Sequence, residues 1–156
     1  MKRLNIAFED KNILVINKPA GVLTIATDKE KEKTLYHEVY NYLHKKNQKV
    51  FIVNRLDKDT SGFVVFAKNE KAKLRFQSTW DKVIRKYYGV VIGKIEEPNK
   101  VINYIYEGKD LKTYVTNDKN KGKKCITEYT PIKNTNKCID KNNYEVCSLY
   151  KLTLSN

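Results

Sequence analysis

Residues 54–62, with the sequence Asn-Arg-Leu-Asp-Lys-Asp-Thr-Ser-Gly, lie between two short apolar runs, residues 51–53 and 63–67. β-Branched and aromatic runs on both sides of a polar segment that ends in glycine predict a strand, a loop and a second strand. The loop is expected to project an arginine, two carboxylates and two hydroxyls from a stiff base. Sheet proteins often carry their chemistry on such loops.

Two segments are predicted to be helical. Residues 34–46 suit a helix that Thr34 caps, because apolar residues recur there at helical spacing. Its candidate core positions are Leu35, Val39, Tyr42 and Leu43. Residues 70–80 suit a second helix that starts after Asn69. Its candidate core positions are Ala72, Leu74, Phe76 and Trp80.

Strands are predicted to dominate the rest of the chain. Besides residues 51–53 and 63–67, β-prone or alternating runs cover residues 6–8, 13–16, 87–93, 101–106, 111–115, 123–129 and 144–154. No regular β-α-β alternation accompanies them. The pattern therefore favours an α+β fold with a mixed, mainly antiparallel sheet and two helices.

Length and composition restrict the class of protein. The 156 residues are expected to form one domain, residues 1–156, with a substantial core. No apolar run approaches the roughly 20 residues that span a bilayer, and the basic N-terminus lacks a signal-peptide core, so we expect a cytoplasmic protein without membrane attachment. Cys125, Cys138 and Cys147 are odd in number and widely spaced, which predicts free thiols rather than a metal site.

The net charge of +13 indicates a polyanionic partner, with nucleic acid as the leading candidate. Lysine and asparagine are abundant along the whole chain, for example in residues 119–121 and 141–143. A coding bias would give the same surplus without any binding face, so charge alone leaves both explanations open.

Asp57 is the candidate for chemistry, although a loop carboxylate can also be a metal ligand or a plain turn former. Arg55, two positions away, is expected on the same side of an extended chain, where its charge favours an ionised carboxylate. Asp59, Thr60 and Ser61 can hold the turn by accepting hydrogen bonds from backbone donors.

A phosphohydrolase is one alternative for the same residues. Asp57, Asp59 and Thr60 fit Asp-x-Asp-x-Thr, the start of the haloacid-dehalogenase-like enzymes, in which the first aspartate attacks phosphorus and Mg²⁺ is required. That family places the motif after a parallel strand of a doubly wound sheet and needs a later acidic pair. This chain has no Asp-Asp pair and a β-rich last third, which disfavours the alternative.

A longer stretch of the sequence gives a more specific match to a known family. Residues 55–62 resemble the signature of the RluA-type RNA pseudouridine synthases, His-Arg-Leu-Asp-x-x-Thr-Ser-Gly. Residues 17–21 match the Asn-Lys-Pro-x-Gly turn of that family, and residues 67–69 match its Ala-Lys-Asn. Tyr87 fits the family strand basic-x-Tyr-x-x-x-Val-x-Gly, with Arg85, Val91 and Gly93. The resemblance is weaker further on, where Thr127 and Tyr129 fit a Thr-x-Tyr pattern.

The resemblance implies isomerisation of uridine to pseudouridine in structured RNA, either ribosomal or transfer RNA. Asp57 would be the catalytic carboxylate, which attacks C1′ or removes the C2′ proton. Tyr87 would lie against the uracil and assist proton removal at C5, although it also suits a core strand position. Arg55 would occupy the space of the flipped nucleotide or hold its phosphate. No cofactor and no metal are implied. The other implied RNA-binding residues are Lys18, Lys58, Thr60 and Ser61.

Two departures from the family pattern affect these expectations. Asn54 stands where relatives usually have histidine. Relatives continue with a Gly-Arg-x-His-Gln-(Ile/Leu)-Arg block after the strand that residues 150–154 resemble, and this sequence ends at Asn156. We also expect no S4-like RNA-binding domain before Ile6, which leaves ribosomal and transfer RNA both open. We therefore expect a catalytic domain that lacks its C-terminal part, with an inactive RNA-binding remnant as the alternative.

Overall fold

Two compact units of the chain, Met1–Trp80 and Asp81–Asn156, each hold their own antiparallel sheet. The structure is a computed structural model that describes residues 4–27, 30–110, 112–135 and 147–155. Within those residues, every helix is too short or too polar to cross a membrane. The expectation of one domain over residues 1–156 stays a prediction.

The first unit combines a four-stranded sheet with two helices. Its strands are β1 (Ile6–Glu9), β2 (Ile13–Lys18), β3 (Phe51–Ile52) and β4 (Gly62–Ala67), and its helices are α1 (Leu35–His44) and α2 (Glu70–Ser78). The strand order is β1-β2-β4-β3, and each neighbouring pair is antiparallel. A short 3₁₀ helix, Trp80–Lys82, follows α2.

The core of this unit joins α1 to the two central strands. Alternate residues of β2 and β4 point to the same face, where they meet the apolar stripe of α1. Burial of each such side chain contributes about 1.5–3 kcal/mol, which is the main force holding α1 on the sheet. The buried cluster is Leu14, Ile16, Leu35, Val39, Leu43, Val64 and Phe66. Thr34 caps α1 as the sequence predicts, because its hydroxyl accepts a hydrogen bond from the His37 amide at 3.2 Å.

The prediction for α2 is confirmed for its start and wrong for part of its core. Asn69 caps the helix by accepting from the Ala72 amide at 2.8 Å. Leu74, however, is 58% exposed. It lies two positions from both Ala72 and Phe76, which places it about 200° around the helix from each, on the opposite face.

The second unit is a five-stranded antiparallel sheet. Its strands are β5 (Arg85–Ile92), β6 (Asn99–Glu107), β7 (Thr113–Thr116), β8 (Lys123–Thr135) and β9 (Cys147–Ser155), in the order β5-β9-β8-β6-β7. Part of the last predicted strand, residues 144–146, lies outside the described residues. An ion pair of 2.9 Å between Lys100 and Glu128 joins opposite positions of β6 and β8. The predicted α+β class with mainly antiparallel pairing is confirmed.

A polar cluster ties the end of β1 to α1 and to the residue after β4. Lys68 is 9% exposed and donates to Glu9 Oε1 and to the Asp10 carbonyl, both at 2.8 Å. Tyr42 donates to Glu9 Oε2 at 2.7 Å, and Lys46 lies 3.4 Å from Oε1. Burial alone would raise the pKa of Glu9, but the hydrogen bonds and charges of these three partners lower it to about 2.

The lowered pKa of Glu9 predicts a loss of stability in acid. A carboxyl group with a pKa of about 2 when folded and an ordinary pKa of 4.5 stabilises the fold above the higher value and loses this contribution as the pH falls towards 2. We expect Glu9→Gln to lower the free energy of unfolding by about 1–3 kcal/mol at neutral pH. The variant should also lose less stability than the wild type as the pH falls below 4.5. Urea unfolding at a series of pH values measures both effects.

The matched control for this prediction is Glu38→Gln, which changes an exposed carboxylate in the first turn of α1. This variant should lose stability in acid as the wild type does. If the two variants gave the same pH profile, the Glu9 cluster would not be the source of the acid sensitivity.

Candidate functional site

The loop that carries Asp57, residues 53–61, connects β3 to β4 and starts where the ladder between those strands ends. At its far end, Gly62 of β4 lies opposite Lys18, the last residue of β2. We call residues 53–61 the Asp57 loop. Its antiparallel flanking strands differ from the parallel setting that the phosphohydrolase alternative requires.

Lys18 is fully buried, and its ammonium group binds the backbone of the Asp57 loop. It follows Leu14 and Ile16 on the same face of β2, so its aliphatic stem extends the core. Its nitrogen donates to the carbonyl oxygens of Pro19 at 3.1 Å, Val22 at 2.8 Å and Lys58 at 3.0 Å. These bonds use all three donors of an ammonium group. The sequence placed Lys18 among the RNA-binding residues, and the structure gives it this internal position.

The turn after β2 adds a second bond to the same carbonyl. The Gly21 amide donates to the Lys58 oxygen at 2.9 Å. Gly21 has φ of +82°, a backbone conformation that a side chain would strain, although a Cβ at this position would have nothing within 4 Å. Glycine is therefore needed here for backbone shape rather than for space.

Thr24 anchors the loop on the other side of Asp57. This threonine is 3% exposed, and its hydroxyl donates to the Leu56 carbonyl and accepts from the Leu56 amide at 3.2 Å. Leu56 and Lys58, the two neighbours of Asp57, are thus both held through their backbones. Thr24 was missed in the sequence, because no local pattern marks a contact across 32 positions.

Asp57 itself is exposed between these two anchors. Its carbonyl oxygen accepts from the Thr60 amide at 3.1 Å, which closes the turn. Among the described residues, no ion pair within 4.0 Å joins Asp57 or Asp59 to Arg55. The Asp57 carboxylate is therefore open to solvent and to a ligand, while its backbone is fixed.

The other predicted residues of the loop surround Asp57 in different settings. Arg55, Lys58 and Ser61 are exposed, so their side chains can reach a ligand, whereas Thr60 is half-buried. Asn54, at the family's histidine position, extends the strand pairing. Its Oδ1 accepts from the Val65 amide at 2.8 Å, and its Nδ2 donates to the Phe63 carbonyl at 3.4 Å.

The electrostatics of the loop centre on one buried cation and two carboxylates. Burial lowers the pKa of the Lys18 ammonium, and the negative charges of Asp59 and Asp57 oppose that shift. In the described part of the chain, no three histidine, cysteine, aspartate or glutamate side chains are grouped to hold a metal ion. Cys125 is a free thiol, whereas Cys138 and the side chain of Cys147 lie outside the described residues.

Tyr87 belongs to the second unit and is half-buried on β5. Tyr87 lies opposite Leu152 of β9, and Leu152 lies opposite Tyr129 of β8. Residues opposite one another in a sheet share a face, so Tyr87 and Tyr129 lie on the same face two strands apart. Arg85 and Thr127 have the same relation through Leu154.

Known proteins are similar to this chain in sequence and in fold. The family model described as RNA pseudouridylate synthase matches residues 12–155. An uncharacterized RNA pseudouridine synthase of Mycoplasma pneumoniae is 30% identical over 143 residues, which is 86% of this chain and 44% of that protein. Ribosomal large subunit pseudouridine synthase D of Buchnera aphidicola is 42% identical over 96 residues, which is 59% of this chain and 31% of that protein.

The fold has a counterpart among solved structures. Human RNA pseudouridylate synthase domain containing 1 superposes with a TM-score of 0.73 at 17% identity, over 98% of this chain and 60% of that one. The chain spans less than half the length of the two curated relatives. The order of the sequence motifs, the fold and the family match over residues 12–155 all point to the same family. The chain therefore belongs to the RNA pseudouridylate synthase family and, as the sequence predicted, to its RluA-type members.

Proposed function

We propose that this chain isomerises uridine to pseudouridine in RNA and that Asp57 is the catalytic carboxylate. The observation that carries the proposal is an exposed aspartate whose two neighbours are fixed by Lys18, Gly21 and Thr24. A carboxylate must be both reachable and held still to act on a sugar carbon. Membership of the family supports the reaction class.

The reaction rearranges one nucleotide without gain or loss of atoms. The N1–C1′ bond breaks, the uracil rotates, C5 bonds to C1′, and the proton on C5 is replaced by one on N1. Such an isomerisation requires no electron acceptor and no second substrate. Asp57 either attacks C1′ or removes the C2′ proton to give a glycal, and both routes need an ionised carboxylate close to the ribose.

The exposed side chains around Asp57 are proposed to bind the RNA. Arg55 takes the space of the flipped uridine or binds its phosphate, and Lys58 binds a neighbouring phosphate. Ser61 offers a hydroxyl to the RNA, and Thr60 keeps the turn closed. For Lys18 we propose a positioning role instead of an RNA contact, because its three donors already bind carbonyl oxygens.

Tyr87 is proposed to lie against the uracil and to assist removal of the C5 proton. Its position on the same sheet face as Tyr129, two strands away, supports this role, because aromatic rings are the side chains on which RNA bases stack. The ring is half-buried, so part of it is open to a ligand.

RNA is proposed as the partner, with large-subunit ribosomal RNA as the first substrate to test and transfer RNA as the second. The charge of +13 favours a polyanion, and a Buchnera relative is named a ribosomal large subunit synthase. The alternative is an inactive chain that only binds RNA. Pseudouridine mapping of both RNA classes, with and without this protein, distinguishes an active enzyme from a chain that only binds RNA.

Asp57→Asn should abolish pseudouridine formation, with a fall in kcat of at least about 10⁴-fold, because the amide neither attacks nor accepts a proton. RNA affinity should change little, since the amide keeps the size of the side chain. The matched control is Asp59→Asn, which removes an exposed carboxylate two residues away. Single-turnover assays on unmodified transcripts measure both variants, and turnover by Asp57→Asn would refute the catalytic role.

Thr24→Val tests whether the anchors of the loop matter for activity. The change keeps the shape but leaves the Leu56 amide and carbonyl unpaired, at a cost of about 1–3 kcal/mol in unfolding free energy. We expect kcat to fall about 10- to 100-fold, because Asp57 would no longer be held in place. Thr24→Ser keeps the hydroxyl and should keep both quantities near wild type. Equal kcat values for the two variants would mean that this anchor does not position the aspartate.

Tyr87→Phe removes only the phenolic hydroxyl. If that hydroxyl assists removal of the C5 proton, kcat should fall about 10- to 100-fold with RNA affinity unchanged. Uridine deuterated at C5 should then show a larger isotope effect in the variant than in the wild type. An unchanged kcat and isotope effect would leave Tyr87 as a packing residue.

A further inference from the structure

A cavity of about 650 Å³ lies in the first unit between the β1–β2 turn and the start of α2. It is lined by residues 10–13 of the turn and by Asn69, Lys71, Ala72, Arg75 and Phe76. We call it the hairpin cavity. The proposed function makes no use of it.

The hairpin cavity lies at the opposite end of the sheet from the Asp57 loop. In the β2–β4 ladder, Ile13 pairs with Ala67 next to the cavity, and Lys18 pairs with Gly62 next to the loop. Five residue steps of a strand separate these ends by about 17 Å. The two places are therefore distinct surfaces of one unit.

The walls of the hairpin cavity are held by hydrogen bonds. The Asp10 carboxylate accepts from the amides of Asn12 and Ile13, both at 2.7 Å. The Asn69 side chain caps α2 and donates to Asn12 Oδ1 at 3.1 Å. The Lys68 amide donates to the Asn12 carbonyl at 2.8 Å. A ligand would meet a preformed surface and lose little free energy by ordering it.

The charged groups of the hairpin cavity favour an anion. Lys11, Lys71 and Arg75 are exposed, and no ion pair within 4.0 Å involves them among the described residues. The opposing carboxylate is Asp10, whose pKa is lowered by the hydrogen bonds from Ile13 and Asn12. Glu70, at the start of α2, is exposed and is not among the lining residues. Three cations against one carboxylate leave an excess of positive charge.

The apolar part of the hairpin cavity offers a surface for a ring. Ala72 and Phe76 are four positions apart on α2 and share a face, and Ile13 also lines the cavity. Phe76 is half-buried, so its ring is partly open to the cavity. An aromatic side chain beside lysine and arginine is the combination that binds single-stranded RNA through its bases and phosphates.

We propose that the hairpin cavity binds a nucleotide of the substrate RNA other than the reacting uridine. Its base contacts Phe76, and its phosphates bind Lys71, Arg75 and Lys11. This inference rests on the proposed function for the identity of the ligand. A free nucleotide offers the same chemistry, and the experiment separates the two sources.

The test measures affinity for a short single-stranded RNA across a salt series. The double variant K71Q/R75Q should raise Kd about tenfold and reduce the salt slope by about 1.4, because each of the two phosphate interactions that it removes accounts for about 0.7. F76L should raise Kd with the slope unchanged, because it removes a ring and no charge. Neither change should lower kcat at saturating RNA, since these residues lie at the far end of the sheet from Asp57.

The matched control is K109Q/K119Q, which removes the same charge from two exposed positions of the second unit. It should change Kd less than about twofold. Thermal unfolding of each variant shows that the fold is kept. If K71Q/R75Q had no larger effect than the control, the inference would be wrong. Binding of UMP that F76L abolishes, with RNA affinity unchanged, would assign the cavity to a free nucleotide and also overturn it.

The outcome is separable from that of the proposed function. A chain that forms pseudouridine while K71Q/R75Q binds RNA like the wild type would refute only this inference. A chain that forms no pseudouridine but loses RNA affinity in K71Q/R75Q and F76L would refute the activity and support the RNA site. A wild type without affinity for RNA would refute both.

Discussion

The buried ammonium group of Lys18 is the contact on which the candidate site depends. Desolvating a cation costs several kcal/mol unless hydrogen bonds replace its water, and here three backbone carbonyl oxygens do so. One of them belongs to Lys58, the neighbour of Asp57. Because the stem of Lys18 continues the core face of Leu14 and Ile16, the position of the Asp57 loop is coupled to the packing of the core.

A second buried lysine, Lys68, lies at the other end of the sheet and has different partners from those of Lys18. Lys68 is neutralised by Glu9, whose carboxylate it contacts at 2.8 Å. Lys18 is bonded to carbonyl oxygens only, so the carboxylates of Asp57 and Asp59 interact with its charge from a distance and stay open to a ligand. A buried lysine thus forms an ion pair with Glu9 at one end of the sheet. At the other end, a buried lysine leaves the carboxylates of Asp57 and Asp59 exposed.

The sequence predicted the elements well where the signal is local. The apolar runs around residues 54–62, the caps Thr34 and Asn69, and the spacing of the α1 core all correspond to observed features. It did not predict the burial of Lys18 or the anchoring role of Thr24, since these depend on partners 40 and 32 positions away. The prediction for Leu74 was wrong for another reason, because an apolar side chain does not by itself specify which face of a helix is buried.

Asp57 and Tyr87, the two residues proposed for catalysis, lie in different units and are positioned by different contacts. Every described anchor of the Asp57 loop, from Lys18 to Thr24 and Thr60, comes from Met1–Trp80, so this unit alone fixes the backbone on both sides of the aspartate. Tyr87 shares a sheet face with Tyr129, two strands away, through the register of β5, β9 and β8. The backbone beside Asp57 is thus fixed by contacts across 32 and 40 positions within the first unit, whereas the common face of Tyr87 and Tyr129 requires three strands of the second unit to pair in register.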